Sequence, residues 1–218
     1  MLVIGHRGAS GIELENTIRS LKKAQELGVD MVEFDIRRSL DGQVVLSHDS
    51  NLKRLFGTRK SIKDLTVEEL RKASNNEIPT LQEALENISA PIDIHVKVLG
   101  IEQQVVDAYK NFSSEVLICS TFPGVLKKIR ALDEKVKLGL VIGKGQLYFL
   151  PIMEYLTRYL NLYSIHPEQT LVTPKSIDTL RRMNRKIFVW TVNSQDEYAR
   201  MKNLGVDGII TDNPQLFK

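Results

Sequence analysis

Apolar and polar residues follow two rhythms along the chain. Short runs rich in β-branched residues lie at 2–5 (LVIG), 31–36 (MVEFDI), 92–98 (IDIHVKV), 115–119, 136–142, 161–165, 187–191 and 207–211, and predict eight strands. Amphipathic stretches between them predict helices over 15–27, 80–88, 101–111, 123–132, 174–183 and 194–203. Thr173-Pro174 and Asn193-Ser194 read as helix starts, and Gly28 and Gly205 as helix ends. Strand alternating with helix implies parallel pairing. Eight such units close a (β/α)8 TIM barrel, an α/β fold, with a doubly wound open sheet as the alternative. The segment from about 47 to 78 breaks the rhythm. It reads as a short insertion after the second strand, carrying one helix (LTVEELRKA), within a single domain spanning 1–218.

Strand alternation then sorts the polar residues. In MVEFDI, Val32, Phe34 and Ile36 share one face and Glu33 and Asp35 the other. The helix-covered side of a barrel must be apolar, so both carboxylates point inward. The same test sends Asp93, His95 and Lys97 of IDIHVKV inward. Ionised interior groups cost several kcal/mol or more unless they are paired or bind a metal. Two readings follow: a divalent cation between the carboxylates, or an internal salt bridge from Glu33 or Asp35 to Lys97. His6 ends the first strand in GHRGAS, and His48 follows the apolar run of VVLSHDS. Both are expected at the C-terminal ends of strands, where barrel active sites lie. Two histidines near a cation and a lysine point to acid–base work near neutral pH, whereas either alone reads more simply as a hydrogen-bonded loop histidine.

Composition narrows the class. The chain has 218 residues, 42% of them hydrophobic and 26% charged, enough for one well-filled globular core. A net charge of +3, with basic residues scattered, argues against a nucleic-acid partner. No run of about 18 apolar residues is present to insert stably in a membrane. The lone cysteine, Cys119, excludes an internal disulfide and suits a reducing compartment. With no leader-like segment, the expectation is a cytoplasmic protein.

The motifs taken together resemble the glycerophosphodiester phosphodiesterase family. They are His6-Arg7-Gly8, Glu15-Asn16-Thr17, Glu33-x-Asp35, His48-Asp49, IPTLQEAL, the strand bearing Lys97, and the closing VWTVN…GVDGIITDNP, so the resemblance runs through essentially the whole chain. It implies a metal-dependent barrel hydrolase that cleaves small-molecule glycerophosphodiesters to glycerol 3-phosphate and an alcohol. His6 and His48 become the acid–base pair, and Arg7 and Lys97 meet the phosphate. Glu15 is implied near the metal and the glycerol hydroxyls, and Trp190 lines the glycerol or leaving-group pocket. Glu33 and Asp35 become metal ligands. The resemblance also admits attack by the glycerol 2-hydroxyl, giving a cyclic phosphate that water then opens. Rival readings keep the barrel but change its use: a phospholipase-type phosphodiesterase, or a non-catalytic barrel that binds phosphorylated ligands.

Two positions depart from the family pattern. Leu14 replaces a proline before Glu-Asn-Thr, and His95 stands where a third acidic metal ligand is expected. The resemblance implies one divalent ion, Mg or Ca; an imidazole at His95 opens the site to Mn, Co or Zn. Other features are read first as structural: Gly143-Lys144-Gly145 as a turn, with ligand contact from that loop as the alternative; His166-Pro167 as a bend, with His166 facing the pocket as the alternative; Asp212 as an Asx-type turn or helix start; and Cys119 as core filling.

Overall fold

The computed structural model describes residues 1–144 and 150–218. Its strands are β1 (Leu2–Gly5), β2 (Met31–Arg38), β3 (Val44–Leu46), β4 (Ile92–Val96), β5 (Val116–Ser120), β6 (Lys137–Ile142), β7 (Ser164–Pro167), β8 (Lys186–Val189) and β9 (Gly208–Thr211). β1 pairs in parallel with both β2 and β9, so all strands but β3 form a closed eight-stranded parallel ring. This closure decides for the barrel against the open sheet.

Helices α1 (Ile18–Glu26), α4 (Leu81–Asn87), α5 (Glu102–Tyr109), α6 (Pro123–Leu132), α8 (Pro174–Arg182) and α9 (Gln195–Asn203) match the amphipathic stretches. Gly28 and Gly205 follow α1 and α9 with positive φ of 73° and 66°, the left-handed conformation that glycine adopts without steric cost. Thr173 and Ser194 cap α8 and α9 as the sequence predicts. A further helix, α7 (Leu150–Tyr159), was not among the predicted elements.

Three local differences bear on the site. First, α1 starts at Ile18 rather than at residue 15, because Thr17 is its N-cap and Asn16 takes a left-handed φ of 57°. Second, β7 lies later than 161–165, so His166-Pro167 is strand and not bend. Third, β3 runs antiparallel to the far end of β2, pairing Ile36 with Leu46 and Arg38 with Val44. His48 therefore does not end a barrel strand; a hairpin carries the chain beyond the ring and returns it to the mouth.

After β3 the chain enters the insertion, with α2 (Lys53–Phe56), a 3-10 turn at Ile62–Asp64, and α3 (Val67–Ala73). It packs a small core of its own from Val45, Leu52, Ile62, Leu65, Leu70 and Ile78. The main core lies between strands and helices, and includes Val32, Phe34 and Ile36 as the alternation predicts. Inside the ring, Ile4, Met31, Leu117, Phe188 and Ile210 form an apolar floor. Polar side chains fill the layers above it.

Candidate active site

A cavity of about 380 Å³ opens among the strand ends, with His6, Arg7, His48, Lys97 and Trp190 around it and Glu33, Asp35 and His95 deeper. The alternation of β2 and β4 accounts for the inner residues. Their register sets Glu33 beside Asp93 and Asp35 beside His95.

Each mouth histidine is held by a carboxylate. His6 Nδ1 donates to Asp212 Oδ1 at 2.6 Å, and Asp212 also accepts from Ser10 Oγ and Asn193 Nδ2. Burial works to raise the Asp212 pKa, but His6 first, then Ser10 and Asn193, outweigh it and hold the carboxyl well below its ordinary value. His48 Nδ1 donates to Asp49 Oδ1 at 2.8 Å, and Arg54 Nε binds the other Asp49 oxygen at 2.7 Å. Two bonds from the Arg37 guanidinium clamp the His48 carbonyl to β2. Burial pushes the His48 pKa down, with Arg7 and Lys97 adding to this against the charge of Asp35 and the bond to Asp49. Neutral imidazole is thus the favoured form of His48 near pH 7. In both residues the bond through Nδ1 leaves Nε2 as the nitrogen available for proton exchange.

Arg7 sits in the left-handed region at φ 53°. Its backbone N–H donates to Glu33 Oε2 at 2.8 Å, its Nη1 donates to Glu15 Oε1 at 2.8 Å, and its Nε lies 3.2 Å from Asp35 Oδ2. Glu15 itself is outside the cavity lining. Both its oxygens accept from Arg54, and Oε1 is shared with Arg7. It is the link between two guanidinium groups.

The inner carboxylates combine the two readings drawn from the sequence. Lys97 Nζ lies 3.1 Å from Asp35 Oδ1, so an internal ion pair exists. His95 Nδ1 lies 3.3 Å from the same oxygen and 3.9 Å from Glu33 Oε1. Asn16 brackets Asp35, accepting from its backbone N–H and donating to its Oδ2. Burial raises the Asp35 pKa, yet His95, Lys97 and Arg7 together hold it well below the usual range. Burial, with the charge of Asp35 beside it, pushes Glu33 upward. Burial likewise lowers the His95 pKa to about 4, leaving its ring neutral and able to offer a lone pair. Glu33, Asp35 and His95 present one donor atom each within 4.8 Å of one another, and His95 Nε2 has no hydrogen-bond partner. This oxygen-rich set with one imidazole fits a divalent cation.

The sequence profile described as the glycerophosphoryl diester phosphodiesterase family matches residues 6–216. The chain belongs to that family. A glycerophosphodiester phosphodiesterase of Caldanaerobacter subterraneus subsp. tengcongensis is 34% identical, with 98% of this chain and 95% of that protein covered. The crystal structure of a glycerophosphodiester phosphodiesterase from Thermotoga maritima superposes with a TM-score of 0.91 at 33% identity, covering 100% of this chain and 96% of that one. An Oleispira antarctica phosphodiesterase, solved with the product sn-glycerol-3-phosphate, gives a TM-score of 0.87 at 25% identity over 99% and 94% of the two chains. Membership in the glycerophosphoryl diester phosphodiesterase family makes this chain an enzyme, a phosphoric diester hydrolase.

Several residues of this family member take places that sequence reasoning missed. Asp212 is the partner of His6 rather than only a turn residue. Arg54 and Asp49 form the support of His48. Gly143 and Lys144 line the cavity, Lys144 lying 3.2 Å from Glu168; Gly145 of the same stretch lies outside the described residues. Cys119 and His166 face the cavity from β5 and β7, so neither is simple core filling or a bend. Cys119 and His166 each sit at an inward position of their strand, Cys119 beside His95 and His166 beside Val141, which the strand register shows. Among the described residues, no helix is long and apolar enough to cross a membrane.

Proposed function

We propose that the chain hydrolyses glycerophosphodiesters to glycerol 3-phosphate and an alcohol, with His48 and His6 exchanging protons at opposite sides of the phosphate. The observation that carries this reading is the matched pair of histidines, each fixed through Nδ1 by a carboxylate at one cavity that also holds Arg7 and Lys97. The product named for the Oleispira antarctica relative supports glycerol 3-phosphate as the product here.

His48, kept neutral by burial, takes the proton of the attacking hydroxyl through Nε2. Protonated His6, its charge balanced by Asp212, gives a proton to the departing alcohol oxygen. When the attacker is the glycerol 2-hydroxyl, the product is a cyclic phosphate. His6, now neutral, activates the water that opens it, and His48 returns its proton to the 2-oxygen. Arg7 offers a planar fork to two phosphate oxygens, and Glu15 and Asp35 hold that fork in place. Lys97 adds a second positive charge to the same side. A divalent cation held by Glu33, Asp35 and His95 supplies Lewis-acid charge against the negative charge that builds on the phosphate oxygens. The imidazole favours Mn, Co or Zn relative to an all-carboxylate set. Trp190, its Nε1–H donated to the His166 carbonyl, offers a fixed flat wall for the glycerol or alcohol moiety.

The test is release of glycerol 3-phosphate from glycerophosphocholine, glycerophosphoethanolamine and glycerophosphoglycerol, each with Mg, Ca, Mn, Co and Zn. Turnover of at least one diester, lost on chelation and in both histidine variants, is the expected result. Binding of glycerol 3-phosphate with no turnover under any of these conditions would favour the ligand-binding reading instead.

A further inference from the structure

Beneath the site just described lies a second set of donors that the hydrolysis does not use. Asp93 of β4, Cys119 of β5 and His166 of β7 offer one oxygen, one sulfur and one nitrogen, all within 4.8 Å of one another. All three are buried, between 0% and 1% exposed. His166 Nδ1 lacks a hydrogen-bond partner, and the Asp93 carboxyl has none but the weak one offered by the Cys119 thiol. The nearest approach between them is 3.6 Å, from His166 Nδ1 to Asp93 Oδ2. Buried polar groups are normally satisfied, and leaving an imidazole nitrogen unpaired beside a carboxyl held only by a thiol is costly.

The surroundings aim the imidazole at that volume. His166 Nε2 and Ser164 Oγ are 2.8 Å apart, which fixes the ring and leaves Nδ1 turned toward Asp93 and Cys119. Gly139 of the intervening β6 makes room for it: a Cβ there would stand 2.7 Å from His166 Nε2 and 2.9 Å from Ser164 Oγ. Phe188 packs against the same ring, with centroids 5.4 Å apart. A histidine held through one nitrogen with the other free is the usual posture of a metal ligand.

We propose that Asp93, Cys119 and His166 form a second cation site on the floor of the cavity, selective for zinc-class ions and separate from Glu33, Asp35 and His95. Sulfur and imidazole donors favour Zn or Co over Mg or Ca. As the metal–sulfur bond forms, the thiol proton passes to solvent. One thiolate and one carboxylate then neutralise a divalent ion, so the buried set carries no net charge. The ion has a route in, because all three residues line the cavity that opens at the histidines.

Cobalt(II), added to the chelator-stripped full chain, is the probe. Cys119 is the only cysteine, so a thiolate-to-cobalt charge-transfer band in the near ultraviolet has one source. The expected result is that band in the wild type, its absence in Cys119→Ser with one fewer cobalt bound, and its persistence in the Glu33→Gln/Asp35→Asn double variant. That double variant abolishes the proposed hydrolysis while leaving the band, so failure of one reading is told apart from failure of the other. Wild-type protein that is folded by circular dichroism, yet shows no band at saturating cobalt, overturns the proposal whatever the variants do. Loss of the band in a folded double variant overturns the claim of a separate site.

Discussion

His6 Nδ1 stands 2.6 Å from Asp212 Oδ1, a contact between residues 206 positions apart that spans the β1–β9 seam of the barrel. The carboxylate fixes the tautomer and aim of the ring. Substituting Asp212→Asn keeps the size but lets the amide present either end, and kcat is expected to fall roughly tenfold or more with KM changed little. His6→Ala and His48→Ala each remove an acid–base group and are expected to lower kcat roughly 100-fold or more. Steady-state kinetics on any diester the wild type cleaves checks this, with circular dichroism to show an intact barrel. Near wild-type kcat in both alanine variants would remove the histidines from the mechanism.

The same pair makes a prediction about acid stability. The folded pKa of Asp212 lies below its ordinary value of 3.8, so the unfolded chain binds the proton more tightly. The contribution is therefore complete above about pH 4 and fades as pH falls through the folded pKa. Asp212→Asn is expected to be less stable than wild type at pH 7, with the gap narrowing below about pH 4. Urea unfolding at a series of pH values reads this, and a gap constant with pH would assign the loss to packing instead.

For His48 the shift is downward from 6.5, so the neutral form survives to lower pH than in a free histidine. If His48 is the starting base, the acid limb of kcat/KM falls below 6.5. Asp35→Asn removes the charge that most favours its protonation, yet it also disturbs the cation set, so Asp49→Asn is the cleaner variant. Its acid limb is expected to move further down, because a bond favouring the imidazolium is lost. A limb that moves upward would reverse the assignment.

Arg7→Lys is expected to lose catalytic efficiency that excess cation does not restore. An ammonium cannot reproduce the planar fork that Glu15 and Asp35 now hold at two nitrogens. Full recovery on raising the cation concentration would give Arg7 a role in metal binding rather than in phosphate recognition.

His95→Glu converts the donor set to three carboxylates. The expected outcome is a shift of metal preference toward Mg or Ca, read by titrating activity with each cation for both proteins. Identical preferences and affinities would leave Glu33 and Asp35 as ligands without His95.

Much of this architecture could be read from residue order because strand alternation has a period of two. It sent Glu33, Asp35, Asp93, His95 and Lys97 to one side, and all five line the cavity. Local helix signals were equally legible at Thr173, Ser194, Gly28 and Gly205. What escaped was contact between distant segments. Asp212 in TDNP has the local look of a turn, and only closure of the ring brings it to His6. The resemblance places Glu15 near the metal and the glycerol hydroxyls but gives no sign of Arg54, which comes from an insertion with no repeating pattern and binds Glu15 together with Arg7. Cys119 read as core filling and His166 first as a bend because the apolar runs of β5 and β7 do not reveal which face is inward. The hairpin that returns His48 was hidden for a similar reason, β3 being only 3 residues long.

The small core of the insertion has a consequence for how the two histidines are held. Asp49 and Arg54, which steer one histidine, belong to a segment whose packing is largely its own, while Asp212, which steers the other, belongs to the ring. Substitutions within Leu52, Ile62 or Leu70 are therefore expected to act first on Asp49 and Arg54, and through them on the His48 side of the pocket. The two histidines are thus steered from different parts of the chain, His48 from the insertion and His6 from beside the β1–β9 seam.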